Sequence, residues 1–170
     1  MVALATLALG LVWTRGGTRW PAIYYMTGPS MAPAVGAGAW FLAAIPGGPV
    51  HRGDLVLVEL TLEDTSYDVL RRVVGLPGDT LTMLAGRLSV NGGPAPWPFR
   101  VLEDRAERPL DGPVAGTIYR WGPVVVGPDS LFLLSDTRDM IGWPDSRFLG
   151  ALPRPSVVGK FRRLLWRGPP

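Results

Sequence analysis

The sequence predicts a mainly β protein, in which a small β-barrel-like domain of short antiparallel strands follows an N-terminal apolar anchor helix. Two features of the composition predict the β domain. The 170 residues include 22 glycines and 18 prolines, and so many helix breakers favour short strands joined by turns over a helical bundle. Hydrophobic residues make up 47% of the chain and charged residues 18%, which indicates one folded core rather than a disordered chain.

The N-terminal segment, residues 1–13, carries no charge. As a helix it would extend about 20 Å, short of the roughly 30 Å hydrocarbon core of a bilayer. Three interpretations are open: a membrane anchor, which we favour, a cleaved secretory signal and a buried core helix. A secretory signal would begin with basic residues, whereas Arg15 and Arg19 follow the apolar stretch. These two arginines favour a cytoplasmic location for the chain that follows them.

Beyond residue 20, apolar and β-branched runs bounded by Gly, Pro, Asn or Asp predict strands. The predicted strands are 39–44, 54–60, 69–74, 80–84, 87–90, 124–126, 131–134 and 157–162. Gly86 and the run Asn91-Gly92-Gly93 predict tight hairpin turns. We divide the chain into an anchor with its basic flank at 1–20, a β domain at 21–163 with a proline-rich insertion at 94–122, and a tail at 164–170.

The composition also excludes several kinds of site. The chain has no cysteine and a single histidine, His51, so it lacks a disulfide framework and the ligands of a zinc cluster. We therefore expect no metal or cofactor. The net charge is only +3, and no run interleaves basic and aromatic residues across a face, so we expect no nucleic-acid partner.

Four short motifs follow one another along the β domain. They are Gly28-Pro29-Ser30-Met31-Ala32-Pro33, then Arg52-Gly53-Asp54-Leu55-Val56, then Arg71-Arg72-Val73-Val74-Gly75-Leu76-Pro77-Gly78-Asp79, and finally Ser135-Asp136-Thr137-Arg138-Asp139 with Asp145-Ser146-Arg147-Phe148-Leu149-Gly150. In order and approximate spacing they resemble the boxes S-M-x-P, R-G-D-[IV]-V, K-R-[VI]-[VI]-G-L-P-G-D and G-D-N-R-x-x-S-x-D-S-R-x-x-G of the type I signal peptidase family. The third motif is the most specific, because it matches at every position except the first.

Local chemistry agrees with this resemblance. Ser30 lies between Pro29 and the turn at 31–33, and restricted backbone angles on both sides fix the direction of its hydroxyl, as a nucleophile requires. The alternative is a turn serine that caps a backbone group. Asp145 and Arg147 could form a bidentate carboxylate–guanidinium pair that supports the site without reacting.

The resemblance implies a membrane-bound serine endopeptidase that removes signal peptides from exported preproteins, cutting after small residues at the first and third positions before the bond. It implies a single-pass protein of the cytoplasmic membrane with its β domain on the outer face, in conflict with the arginine pattern after the anchor. Signal peptides and the lipid bilayer are the implied partners. The resemblance also implies roles for individual residues. Ser30 is the implied nucleophile, and its N–H also donates to the oxyanion. The implied oxyanion or substrate-binding residues are Thr27, Gly28 and Met31, and the implied supporting residues are Asp136, Arg138, Asp145 and Arg147.

Arg71 departs from the family pattern, which has the catalytic lysine at this position. A buried lysine can lose its proton and act as the base for the serine, whereas a guanidinium stays protonated. His51 is the only residue with a suitable ordinary pKa, and nothing in the sequence places it near Ser30. Residues 140–144 also lack the serine that orients the family's lysine. Three possibilities stay open: another base, weak catalysis through the guanidinium, or a silent relative that binds precursors or a partner peptidase.

Large apolar side chains flank the candidate nucleophile. They belong to Tyr24, Tyr25, Met26, Met31, Trp40 and Phe41. Together they suit a surface that rests on the bilayer and an extended peptide added to a strand edge. For any single one of them, core packing is the stronger expectation.

Overall fold

The computed structural model describes residues 21–44, 48–62, 64–97, 107–138 and 144–168. The predicted anchor at 1–20 lies outside these residues. Across the described ranges, no helix is long and apolar enough to cross a membrane. The elements in chain order are β1 (Ala22–Tyr25), β2 (Trp40–Ala44), β3 (Leu55–Leu62), β4 (Thr65–Gly75), β5 (Thr80–Leu84), β6 (Arg87–Val90), β7 (Gly93–Pro94), β8 (Gly116–Thr117), β9 (Arg120–Val125), β10 (Ser130–Leu134), α1 (Ser146–Leu149), β11 (Leu152–Pro153), a 3₁₀ turn (Arg154–Ser156) and β12 (Val157–Trp166).

The strands pair in antiparallel fashion and form two sheets. The larger sheet has seven strands in the order β1-β2-β12-β3-β4-β10-β11, and the smaller has five in the order β7-β6-β5-β9-β8. The prediction of a mainly β chain with short antiparallel strands is confirmed. The strands predicted at 80–84 and 87–90 have the bounds of β5 and β6.

Both predicted turns of the smaller sheet are confirmed. Ala85 and Gly86 connect β5 to β6 with φ of 48° and 77°, and Asn91 and Gly92 connect β6 to β7 with φ of 52° and 81°. Positive φ at both central residues is the type I′ geometry, whose twist matches that of the strands it joins. Glycine at the second position removes the steric cost of this conformation.

The hairpin of β3 and β4 runs through the larger sheet and leads to the candidate site. It pairs from Leu55 opposite Arg72 to Leu62 opposite Thr65. Strand β10 adds to the other side of β4 only along its last residues, 72–75, which are buried on both faces. On that side residues 65–71 have no strand partner within the described part of the chain. This segment, here called the open edge of β4, lies beside Ser30.

The core is built from three apolar clusters. One joins the two sheets, where Trp121 of β9 stacks on Phe132 of β10 with ring centroids 5.4 Å apart. A second packs around Val56, Val73 and Leu133 in the larger sheet. The third lies beneath the turn that holds Ser30 and comprises Met26, Met31, Val35, Ala39, Phe41, Ala43, Leu57 and Leu70. The third cluster gives the Ser30 turn a rigid base.

The C-terminal boundary differs from the prediction. Strand β12 continues to Trp166, so residues 164–166 of the predicted tail belong to the last strand. Leu164 pairs with Phe41, and Trp166 pairs with Trp40. The sequence pattern failed here because two register shifts in the β12–β2 ladder break the regular alternation of inward and outward side chains.

The region predicted as an insertion, 94–122, also contains sheet residues. Strand β9 begins at Arg120, and Trp121 is buried in the smaller sheet. Gly122 followed by Pro123 predicts a turn or loop and not the interior of a strand. In the structure Gly122 has a φ of 95°, and a Cβ on it would lie 2.6 Å from the carbonyl oxygen of Leu81. The strand continues through this position because glycine allows both the angle and the close approach.

Candidate active site

Ser30 lies in a tight turn that is tied to the end of β10. The Ala32 N–H donates to the Pro29 carbonyl at 3.0 Å, and the Thr137 N–H donates to the Ser30 carbonyl at 3.0 Å. The Thr137 hydroxyl donates to the Pro29 carbonyl at 2.7 Å. Sequence reasoning gave Thr137 no role, although it stands between two charged residues of the fourth motif. It joins two motifs that are more than a hundred residues apart.

Arg71, on β4, brings its guanidinium to the Ser30 hydroxyl. Arg71 Nη1 lies 3.5 Å from Ser30 Oγ, a long contact, and donates to the Leu70 carbonyl at 2.6 Å. Nε and Nη2 donate to the Pro144 carbonyl at 3.3 and 3.1 Å. Two backbone carbonyls thus hold the guanidinium where the resembled family orients a lysine with a serine. No sequence pattern could have shown this, because any residue has a carbonyl group.

The Arg71 guanidinium is a buried cation. Its residue is 2% exposed, and burial lowers its pKa, while the charge of Asp145 raises it and that of Arg147 lowers it further. Guanidinium groups nevertheless stay protonated in proteins. At Ser30 the group therefore acts as a positive hydrogen-bond donor, which favours a negative charge on the serine oxygen but does not take its proton.

Asp145 and Arg147 form the bidentate pair that their spacing suggested. Arg147 Nε and Nη2 donate to the Asp145 carboxylate at 3.0 and 2.8 Å. The Ser135 N–H donates to the same carboxylate at 3.1 Å, and Asp145 also caps α1. Burial alone would raise the pKa of Asp145, but the charge and hydrogen bonds of Arg147 place it below its ordinary value. This pair joins β10 to α1 behind the site.

Arg72, the residue after Arg71 on β4, forms a second buried ion pair. Arg72 Nε and Nη2 donate to the Asp136 carboxylate at 2.7 and 2.6 Å, and Arg72 Nη1 donates to the Gly53 carbonyl at 2.9 Å. Arg138 is also buried, and burial lowers its pKa to about 10. Its carbonyl accepts a hydrogen bond from Arg147. These contacts bring the second, third and fourth motifs together in one polar layer.

A solvent-open cleft leads to Ser30, which is 3% exposed. One wall is the segment 24–28, which includes Thr27 and Gly28, and the other wall is 68–71 on β4. The Ser30 turn and the strand that carries Arg71 therefore meet in one groove, as the sequence interpretation required. Met31 is a correction, because its side chain is fully buried in the core and does not line the cleft. Ser30 lines the cleft, whereas Met31 packs in the third apolar cluster.

Neither His51 nor Lys160, the only lysine of the chain, lines this cleft. The His51 side chain is 71% exposed, and its Nδ1 lies 3.7 Å from the Asp54 carboxylate. Lys160 Nζ lies 2.6 Å from the same carboxylate. No three His, Cys, Asp or Glu side chains of the described residues come together as a metal site.

The apolar residues around the site divide into two groups. Met26, Met31 and Phe41 are buried, whereas Tyr25 and Trp40 are 51% and 44% exposed. The exposed pair lies with ring centroids 5.0 Å apart, and Trp40 also pairs with Trp166. We call the exposed group the aromatic edge, and its members are Ile23, Tyr25, Trp40, Leu165 and Trp166.

The chain resembles known proteins over most of its length. Residues 1–166 match the family model described as signal peptidase, peptidase S26. The chain is 32% identical over 124 residues to a signal peptidase I of Leptolyngbya laminosa, an alignment that covers 69% of this chain and 54% of the relative. It is 30% identical over 149 residues to a signal peptidase I of Bacillus caldolyticus, covering 84% and 78% of the two chains. The chain thus spans about half the length of the Leptolyngbya relative.

A solved structure supports the fold. The crystal structure of a signal peptidase I from Enterococcus faecalis V583 superposes with a TM-score of 0.50 at 21% identity, covering 68% of this chain and 99% of that chain. At this identity the likeness concerns the fold alone. The family match over residues 1–166 and the similarity to the Bacillus caldolyticus enzyme carry the assignment, and on their basis the chain belongs to the signal peptidase family, peptidase S26.

Proposed function

We propose that this chain is a serine endopeptidase of the signal peptidase I type, which removes N-terminal signal peptides from exported preproteins. The observation that carries the proposal is that Ser30 lines an open cleft, with its Oγ 3.5 Å from the charged group that replaces the family's lysine. The open edge of β4 forms one wall of this cleft. An extended peptide can add to such an edge through main-chain hydrogen bonds.

In the proposed reaction Ser30 Oγ attacks the peptide carbonyl, so that a C–O bond forms, the carbonyl π bond opens to an oxyanion and the hydroxyl proton passes to solvent in the cleft. Collapse of this intermediate breaks the peptide C–N bond, and the leaving amine takes a proton from solvent. Water then hydrolyses the acyl-serine to a free carboxylate. The Ser30 N–H donates a hydrogen bond to the oxyanion, and Gly28 and Thr27 lie beside it in the cleft. One such donor contributes about 3 kcal/mol to the transition state. Arg71 stabilises the serine oxygen as it becomes negative, but it cannot accept the proton. We therefore expect proton removal to limit the rate of cleavage by this chain.

Cleavage of a preprotein in detergent tests the proposal. We expect Arg71→Lys to cleave at least about 1000-fold faster than the unchanged chain, since a positioned base contributes roughly 10²- to 10⁴-fold. Equal rates would mean that another group is the base. Cleavage that persists in Ser30→Ala would exclude Ser30 as the nucleophile.

A second candidate function is precursor binding without cleavage. The contact from the Arg71 guanidinium to Ser30 Oγ favours it, because a protonated neighbour leaves the hydroxyl without a base. The same experiment separates the two functions. Binding of a precursor that stays intact for days, together with cleavage by Arg71→Lys, would identify a silent relative.

We propose further that the β domain rests on the outer face of the cytoplasmic membrane through the aromatic edge. Aromatic side chains are favoured at the bilayer interface, and the basic residues Arg162, Arg163 and Arg167 lie close to it in the chain. Co-sedimentation of residues 21–170 with anionic vesicles tests this placement. We expect Trp40→Ser with Trp166→Ser to weaken binding, and Leu84→Ser, an exposed residue of the smaller sheet, to leave it unchanged.

A further inference from the structure

The charge balance around the site singles out Arg71. The buried guanidinium groups of Arg72 and Arg147 each lie within 2.8 Å of a carboxylate oxygen. Among the described residues, no carboxylate oxygen lies within ion-pair distance of Arg71, whose contacts are two carbonyls and a hydroxyl. The negative charge of Asp145 raises the pKa of Arg71, but the Asp145 oxygens already accept hydrogen bonds from Arg147 and Ser135. A buried cation without a paired anion is destabilised.

This cation lies where a ligand can reach it. Arg71 and Ser30 both line the cleft. The open edge of β4 runs toward Arg71, and beyond it, from Arg72 onward, the edge is occupied by β10. A peptide strand added along the open edge would therefore have to end or turn at Arg71.

We infer that the Ser30–Arg71 end of the cleft binds the free C-terminal carboxylate of an extended peptide. This inference deepens the proposed function, because such a carboxylate is what cleavage of a signal peptide leaves on the released fragment. The carboxylate would accept hydrogen bonds from the Arg71 guanidinium and from the Ser30 hydroxyl. Because the Ser30 oxygen faces Arg71 Nη1, the hydroxyl hydrogen is directed away from Arg71 and can point to the carboxylate.

The other end of the cleft disfavours acidic residues within the peptide. Asp68 lines it, beside the Tyr24 hydroxyl at 3.5 Å, and Glu59 stands opposite Asp68 on β3. Like charges repel an approaching carboxylate. The cleft thus accepts negative charge at the peptide terminus and repels it three residues away along β4.

Binding of a labelled peptide measures this inference directly. The probe is a fluorescein-labelled hexapeptide with alanine at the first and third positions from its end, either with a free carboxylate or as the C-terminal amide. For the unchanged chain in detergent we expect the acid to bind at least about tenfold more tightly than the amide, which corresponds to about 1.4 kcal/mol. Equal affinities would overturn the inference.

Two variants locate the effect. Arg71→Met should bring the acid and the amide to equal affinity, whereas Arg87→Met, which removes an exposed arginine of the smaller sheet, should keep the tenfold preference. A preference that survives in folded Arg71→Met would assign the carboxylate to another group and overturn the inference. Thermal unfolding shows whether Arg71→Met is folded. If Arg71→Met is not folded, Ser30→Ala provides the test. A preference for the acid that is undiminished in Ser30→Ala would overturn the inference that Ser30 and Arg71 bind the carboxylate together.

The binding result is independent of turnover. Acid preference with no cleavage by either the unchanged chain or Arg71→Lys would support the carboxylate site and reject the endopeptidase function. Ser30-dependent cleavage without acid preference would reject the carboxylate site and support the endopeptidase function.

Discussion

Removal of the Asp145 carboxylate is expected to destabilise the fold strongly. In Asp145→Ala the side chain of Arg147 would stay buried without its bidentate partner, and the Ser135 N–H would lose its acceptor. Breaking a buried ion pair from one side costs about 3–5 kcal/mol. For a chain of this size each kcal/mol lowers the melting temperature by roughly 2–4 °C, so the expected decrease is about 6–20 °C.

Urea unfolding followed by tryptophan fluorescence measures the loss of free energy. The matched control is Asp111→Ala, because the exposed Asp111 carboxylate has no hydrogen bond to the described residues, and we expect a change within about 0.5 kcal/mol. The double variant Asp145→Ala with Arg147→Met removes both charges, so it should be more stable than Asp145→Ala alone. A loss below about 1 kcal/mol in Asp145→Ala, or a double variant less stable than the single one, would refute the reasoning.

Three further predictions concern stability. A Cβ at Gly112 would lie 2.3 Å from the Phe148 carbonyl oxygen, whereas one at Gly36 meets nothing within 4 Å, so Gly112→Ala should lose at least about 1–3 kcal/mol in urea unfolding and Gly36→Ala almost none. Met31→Ala should cost about 2–5 kcal/mol, because the side chain is fully buried beneath the Ser30 turn, and a smaller loss would place it outside the core. Asp145 has a lowered pKa in the folded state. The stability that its carboxylate contributes is therefore present above the unfolded pKa of about 3.9 and is lost as pH falls below that value. The urea midpoint should decrease below about pH 4, and it should decrease less steeply in Asp145→Asn.

The four motifs predicted much of the site because each has a local reason for its sequence. Pro29 and the turn after it restrict the backbone angles around Ser30 through neighbouring residues, although Thr137 also holds this turn from a distance in the chain. The I′ turns at Gly86 and at Gly92 depend on the angles of two residues. The Asp145–Arg147 pair is also local, since the two residues are two positions apart. Features of this kind can be inferred from sequence because their partners are close in the chain.

The boundary errors have the opposite cause. The strand at Leu164 depends on pairing with Phe41, and the strand at Trp121 depends on a glycine that lets the chain approach Leu81. Met31 follows Ser30 in sequence, but its side chain packs in the core and does not line the cleft. Long-range partners decided each of these outcomes, and short windows of sequence do not contain them.

The sequence by itself determined the β class, the tight turns, the identity of Ser30 as candidate nucleophile and the presence of arginine at position 71. Only the tertiary structure decided what that arginine does. Carbonyl groups of Leu70 and Pro144 hold its guanidinium beside Ser30, in a layer where its neighbouring arginines have carboxylate partners. The physical reason is that hydrogen-bond geometry and charge balance depend on groups brought together by folding, including backbone atoms that every residue shares.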